Sequence, residues 1–154
     1  MIGRASLQVF ADYHQFYVQD GGIDPAAPED WTEEDIARRA KVAENVVVVC
    51  PLRNMTVAVE LEVYEQEPSI QWSKWDHAVI CDLKLPTGRL QVHECTGGEL
   101  LNWQVAPAQY RVALLFEGLA TISQDGLEGS DRYYVLLWPG NEQDLSVIQE
   151  WQPE

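Results

Sequence analysis

The sequence predicts a mainly β protein: an antiparallel two-sheet β-sandwich of about seven to eight strands, with one short α-helix near residues 33–44. Apolar and polar residues alternate with a period of two along much of the chain. Gly and Pro signals interrupt the alternating stretches every ~8–15 residues. Only one stretch carries helix-start chemistry, and the regular strand–helix alternation of a parallel α/β fold is absent. At 154 residues the chain suits a single domain over 1–154 with one sizeable core. Residues 1–5 and 152–154 are expected to fray.

Leu7 to Val18 predicts one long strand. Leu7, Val9, Ala11 and Tyr13 share a drier side, and Gln8, Asp12 and His14 a wetter one. Phe10 and Phe16 fall on the wetter side, so that side is expected to be partly covered. Asp20 to Pro28 is a loop, because its Gly and Pro residues permit sharp turns and stop a ladder. Thr32 then offers a hydroxyl as N-cap, with Asp35 at the capping-box position and Trp31 and Ile36 at the two staple positions. Glu33, Glu34 and Asp35 face the positive end of the helix dipole; Arg38, Arg39 and Lys41 lie nearer its negative end. Ile36, Ala40 and Ala43 fall on one helical face, which places the helix from about Glu33 to Glu44.

Val46 to Cys50 is β-branched and too short for a helix, so it reads as a strand buried on both faces. Met55 to Tyr64 predicts a strand with Val57, Val59, Leu61 and Val63 inward, and Glu60 and Glu62 toward water. Asp76–Leu85 and Arg89–Cys95 read as a hairpin joined by Pro86-Thr87-Gly88. Tyr110–Phe116 and Tyr133–Trp138 are further strands, and Asn141–Trp151 is a short final strand or a surface segment.

Charge narrows the partner. The chain carries 25 Asp and Glu against 10 Lys and Arg, a formal charge of -15. That field repels phosphates and attracts cationic surfaces, so the expected partner is a basic protein, with no direct contact to nucleic acid. Acidity also keeps a protein soluble, and this plainer role stands beside the first. No apolar run, Val46 to Cys50 included, approaches the roughly 18 residues of a membrane span, so no membrane contact is expected. The N-terminal residues lack an apolar signal core, and the three scattered cysteines (Cys50, Cys81 and Cys95) form no disulfide framework. A cytoplasmic location is expected. The oligomeric state is not set by any of these features.

No phosphate-binding glycine loop and no nucleophile elbow is present. His93 and Cys95 share a strand face, so a metal could draw further ligands from His77 or Asp82; ordinary hydrogen bonding is the plainer role. Cys81 or Cys95 beside His77, His93 or His14 would suit cysteine chemistry, but few cations lie near to stabilise a thiolate. Glu60, Glu62, Glu65 and Glu67 form a carboxylate row, expected to be solvated and to discourage edge pairing. Trp72, Trp75 and Trp103 fall in loops or at strand ends. There they can plug the open end of a sandwich, anchor a protein interface, or stack on a small ligand such as a sugar.

One pattern extends over much of the chain. Tyr13-His14-Gln15-Phe16 is followed, after a loop, by Asp30-Trp31-Thr32-Glu33-Glu34-Asp35-Ile36. Arg53-Asn54, Gln109-Tyr110-Arg111-Val112 and Asp131-Arg132-Tyr133-Tyr134 come in order behind it. Together they resemble the competence protein J family over about residues 7–138. The Trp72–Trp75 segment and Cys95–Gly98 depart from that pattern. The resemblance implies a small cytosolic inhibitor that binds a DNA-entry nuclease and restrains its cleavage, and it supplies no catalytic residues.

The expected protein is therefore a non-enzymatic acidic binding module without metal or cofactor. It blocks a basic cleft on a protein partner, of which a nuclease is one class. The expected contact face is Asp24, Glu29, Asp30, Trp31, Glu33, Glu34 and Asp35. The alternative is a ligand-binding sandwich that uses Trp72, Trp75 and Trp103.

Overall fold

A computed structural model describes residues 1–152. Among these residues eleven strands build two sheets, and one short α-helix lies between the second and third strands along the chain. In chain order the elements are β1 (Gly3–Phe10), β2 (Phe16–Asp20), α1 (Glu33–Arg38), β3 (Ala40–Ala43), β4 (Val46–Val49) and β5 (Thr56–Val63). They continue with β6 (His77–Leu85), β7 (Arg89–Glu94), β8 (Gly98–Gln104), β9 (Ala108–Glu117), β10 (Arg132–Pro139) and β11 (Ser146–Gln149). The larger sheet runs β1-β5-β10-β9-β6-β11, and the smaller β3-β4-β2-β7-β8. The ladders are antiparallel except for β5 with β10, which pair in parallel. The inner faces meet in one core, to which Val9, Phe16, Leu61, Leu83, Leu114 and Tyr133 contribute fully buried side chains. A mainly β, two-sheet structure with one short helix is thus what the chain forms, with more and shorter strands than the sequence suggests.

The long strand expected over residues 7–18 is two strands in different sheets. Tyr13 and His14 both take left-handed backbone angles (φ 57° each) and turn the chain from β1 into β2. Val9 and Ala11 reach the core from the larger sheet, Phe16 and Val18 from the smaller, and Tyr13 is left 69% exposed. Left-handed turns favour Gly, Asn or Asp. A turn made by Tyr and His therefore carries no compositional signal.

The helix is half its expected length. Thr32 caps it as expected: its hydroxyl accepts the Asp35 N–H at 3.1 Å, and the Asp35 carboxylate accepts the Thr32 N–H at 3.1 Å. Arg39 then enters the left-handed region (φ 62°), and Ala40 to Ala43 pair with β4 rather than extending the helix. Ladder pairing beside a fully buried β4 outweighs the helical spacing of Ile36, Ala40 and Ala43, which share no face.

The expected hairpin at Pro86-Thr87-Gly88 joins strands of opposite sheets. The buried Asp20 carboxylate holds this crossing, accepting the Thr87 and Gly22 N–H groups at 2.8 Å each and the Thr87 hydroxyl. β7 pairs instead with β2 on one side and β8 on the other. Glu60, expected in water, is 4% exposed. It accepts from Ser6 Oγ at 2.6 Å and from Arg132 at 3.1 Å, because β5 runs between β1 and β10 and both neighbours cover it.

Residues 3–5 do not fray; they pair with Leu61, Glu62 and Val63. At the other end the Trp151 N–H is bound by His77, and the expected fraying at 153 and 154 lies outside the described residues. No helix among the described residues is long and apolar enough to cross a membrane.

Candidate functional site

The turn after β1 and the start of α1 come together, although about twenty residues and a loop separate them in sequence. Between them lies a cleft of about 370 Å³. Tyr13, His14 and Gln15 line it from the turn, Trp31 and Ile36 from the loop and helix, and Arg39 and Cys50 from just before β3 and just after β4. Both sharpest segments of the sequence pattern, Tyr13–Phe16 and Asp30–Ile36, thus meet at one surface feature.

Local physics explains how each piece is held. The His14 N–H closes the turn on Ala11 O at 3.0 Å, and its Nδ1 lies 3.2 Å from Pro51 O. The Tyr13 N–H donates to Asp12 Oδ1 at 3.1 Å. Trp31 donates its indole N–H to Pro28 O at 3.2 Å, and Lys41 Nζ stands 5.7 Å from its ring centre. Cys50 N–H donates to Arg39 O at 3.0 Å, which fixes the far side of the cleft. Burial pushes the Cys50 thiol up to about 12, so it remains a neutral, unreactive thiol at physiological pH. Three of the lining residues, Tyr13, His14 and Arg39, hold left-handed backbone angles. Such angles cost about 1–2 kcal/mol each in a residue with a Cβ.

The acidic residues of the expected contact face differ in their commitments. Asp24, Glu29 and Glu33 are exposed and make no ion pair among the described residues. The Asp30 side chain is 93% exposed and 3.7 Å from Lys41. Glu34 is paired with Arg38 at 3.3 Å and lies toward the other side of the helix, beside Ile148 and Glu150. Asp35 is different in kind. It is 8% exposed, bonded to Lys41 at 2.7 Å and locked in the capping box. The Lys41 hydrogen bond, followed by the Thr32 backbone N–H, holds its carboxyl below the usual range. Asp35 is thus an internal strut rather than a contact group.

Of the three tryptophans of the alternative site, Trp72 and Trp75 share one cluster and Trp103 lies apart from them. Trp75 is buried on the outer face of the larger sheet, edge-on to Tyr134 at 4.9 Å, with Lys74 Nζ 4.8 Å from its ring. Trp72 packs at the margin of the same cluster. Trp103 is on β8 of the smaller sheet and packs against the main core. The connection between β5 and β6 folds over an apolar patch that includes Ala113, Leu115 and Leu136, which is why its tryptophans are inside.

The histidine and cysteine candidates are likewise dispersed. His77 is fully buried on β6 in the larger sheet, whereas His93 is on β7 in the smaller. His93 bonds Gln91 at 2.9 Å, and Cys95 accepts from the Tyr17 hydroxyl at 3.2 Å. Asp82 is committed to Arg111 and to the Gln143 N–H. Among the described residues no group of three or more His, Cys, Asp or Glu is placed to hold a metal ion. Sequence reasoning missed Tyr13, His14, Arg39 and Cys50 as cleft residues; the grouping depends on two sheet-crossing turns that pattern alone does not reveal.

Among solved structures, the fold matches that of ComJ from Bacillus subtilis, described as an inhibitor of the DNA degrading activity of NucA. The TM-score is 0.66 at 17% identity, over 90% of this chain and 96% of that one. The chain is folded like ComJ. A second match, described as Crocagin biosynthetic gene J, has a TM-score of 0.56 at 18% identity, with the same coverage of 90% and 96%. At these identities the likeness establishes the fold. No family model matches the sequence, and no curated protein matches it.

Proposed function

We propose that this protein is a non-enzymatic binding module that covers a basic cleft on another protein, a nuclease being the first partner to test. Its contact face is the exposed part of the loop and helix start: Asp24, Glu29, Asp30, Trp31 and Glu33, with Glu34 at its margin and Asp35 holding the first turn in place. The contrast among carboxylates carries this reading. Asp20, Glu60, Asp82 and Asp131 are buried and internally bonded, whereas Asp24, Glu29 and Glu33 stand in water on the loop and helix start that carry Trp31. The ComJ likeness supports the same class of role, since ComJ is described as an inhibitor of NucA activity.

The mechanism is electrostatic replacement. A nuclease must carry cationic side chains along the path of the DNA phosphates. Carboxylates at the helix start can face those cations in place of phosphate, and the net charge of -15 speeds encounter through long-range steering. Trp31 and the cleft beside it supply apolar surface at the centre of the contact.

The test is stopped-flow association with a NucA-type nuclease, together with its DNA cleavage, at 50 and 500 mM salt. The triple variant Asp30→Lys, Glu33→Lys, Glu34→Lys is expected to slow association by about tenfold or more at low salt and to relieve inhibition. Its thermal midpoint should stay close to that of the parent, because none of the three side chains is buried. An association rate equal to the parent's at low salt removes this face from consideration.

A further inference from the structure

We infer that the Tyr13–Ile36 cleft is a socket for a single apolar side chain carried within a cationic segment of the partner; this rests on the functional reading above and specifies the chemistry of the segment. The cleft of about 370 Å³ lies at the small end of the ~300–1,000 Å³ typical of small-molecule sites, which suits one side chain rather than an extended ligand. Tyr13, Trp31 and Ile36 present aromatic and aliphatic surface to it, and Tyr13 and Ile36 are 69% and 53% exposed. Such surface, left in water, is the usual core of a protein contact.

Charge decides what enters and what stays outside. Arg39 lines the cleft, so a lysine or arginine inside it would meet a like charge. Asp30 adjoins Trp31 in the chain and its side chain is exposed, and Glu33 shares a helix face with Ile36 at i, i+3. The complementary segment therefore places an uncharged apolar residue at its centre and cations on either side. A segment of all cations satisfies only the rim, and an apolar segment without cations forgoes the steering.

The backbone supplies a way to separate binding from folding. Tyr13 occupies a left-handed turn position where glycine is unstrained. If the ring were there for the fold, Tyr13→Gly would lower stability; as a socket wall, its loss leaves stability equal or higher and removes binding.

The experiment titrates the isotope-labelled protein with two synthetic peptides at low salt, Lys-Lys-Phe-Lys-Lys and Lys-Lys-Ser-Lys-Lys, followed by NMR. The Phe peptide is expected to bind about tenfold more tightly, as burial of one ring implies, and to shift the Trp31 indole and Ile36 methyl signals. The Ser peptide is expected to shift only Asp30 and Glu33. In Tyr13→Gly and in Ile36→Ser the tenfold advantage disappears. The Ile36 variant alone decides should Tyr13→Gly lower the melting temperature. Equal binding of the two peptides, or an advantage that survives both substitutions, overturns the socket and leaves the charge reading standing. Absence of any shift at Asp30 and Glu33 with either peptide overturns both.

Discussion

At the residue scale, the fold rests on a few buried polar groups that are completely satisfied; no buried side-chain nitrogen or oxygen among the described residues lacks a partner. Arg53 meets Asp131 at 2.7 Å, and the other Asp131 oxygen accepts from the Tyr133 hydroxyl at 2.5 Å. That hydroxyl in turn accepts the Leu52 N–H at 3.0 Å. This chain ties the entry of β5 to the entry of β10, two strands that pair in parallel and so cannot be joined by a tight turn. Asp131→Ala strands a buried guanidinium, and denaturant unfolding is expected to show a loss of about 3–5 kcal/mol. A loss below about 1 kcal/mol would mean that the pair adds little to the fold. His77 offers a pH test. Its Nε2–H donates to Arg38 O at 2.8 Å and its Nδ1 accepts the Trp151 N–H at 3.0 Å, so the ring is neutral and both nitrogens are used. Burial pulls its pKa below the ordinary 6.5. The unfolded chain thus takes up a proton first as pH falls, and the folded state loses stability from about pH 6.5 downward toward the depressed value. Thermal midpoints measured from pH 8 to 5.5 should fall across that window, and His77→Gln should flatten the slope there.

At the element scale, α1 shows how local chemistry and tertiary pairing divide a segment. The capping box, the acidic first turn and the basic last turn all act as the residue order implies. The stop does not, because Arg39 and Ala40 are recruited by the β4 edge. Six helical residues are too few to hold together without their cap and their packing. Thr32→Ala is therefore expected to cost about 1 kcal/mol, read as a drop of roughly 2–4 °C in the thermal midpoint. Because Thr32 and Asp35 cap each other, the same variant loosens the carboxylates of the proposed contact face and weakens association. An unchanged midpoint would show that Lys41 alone holds the segment. Strand β5 carries the converse lesson. Its inward set of Val57, Val59, Leu61 and Val63 was legible from alternation, but the burial of Glu60 came from Ser6 and Arg132 on neighbouring strands distant in sequence.

At the scale of the whole molecule, excess negative charge acts against the compact state while it favours a cationic partner. At 0.1 M salt, repulsion between exposed charges more than about 10 Å apart is largely screened. The thermal midpoint is accordingly expected to rise between 10 and 500 mM sodium chloride, while association with a basic partner weakens over the same range. A midpoint that falls with salt would show that the internal ion pairs outweigh the repulsion. The residue order by itself determined the mainly β class, the capped helix start, the inward face of β5, and the acidic field, because propensity, alternation, side-chain capping and charge are local or additive. Only the tertiary structure decided which strands share a sheet, where the chain crosses between sheets, and that Tyr13 and Ile36 face one cleft. The crossings at Tyr13-His14 and at Thr87 depend on contacts with distant residues, Pro51 and Asp20 among them. A strand's alternation reads the same whichever sheet receives it, so pairing partners are chosen by burial of the whole core rather than by any single segment.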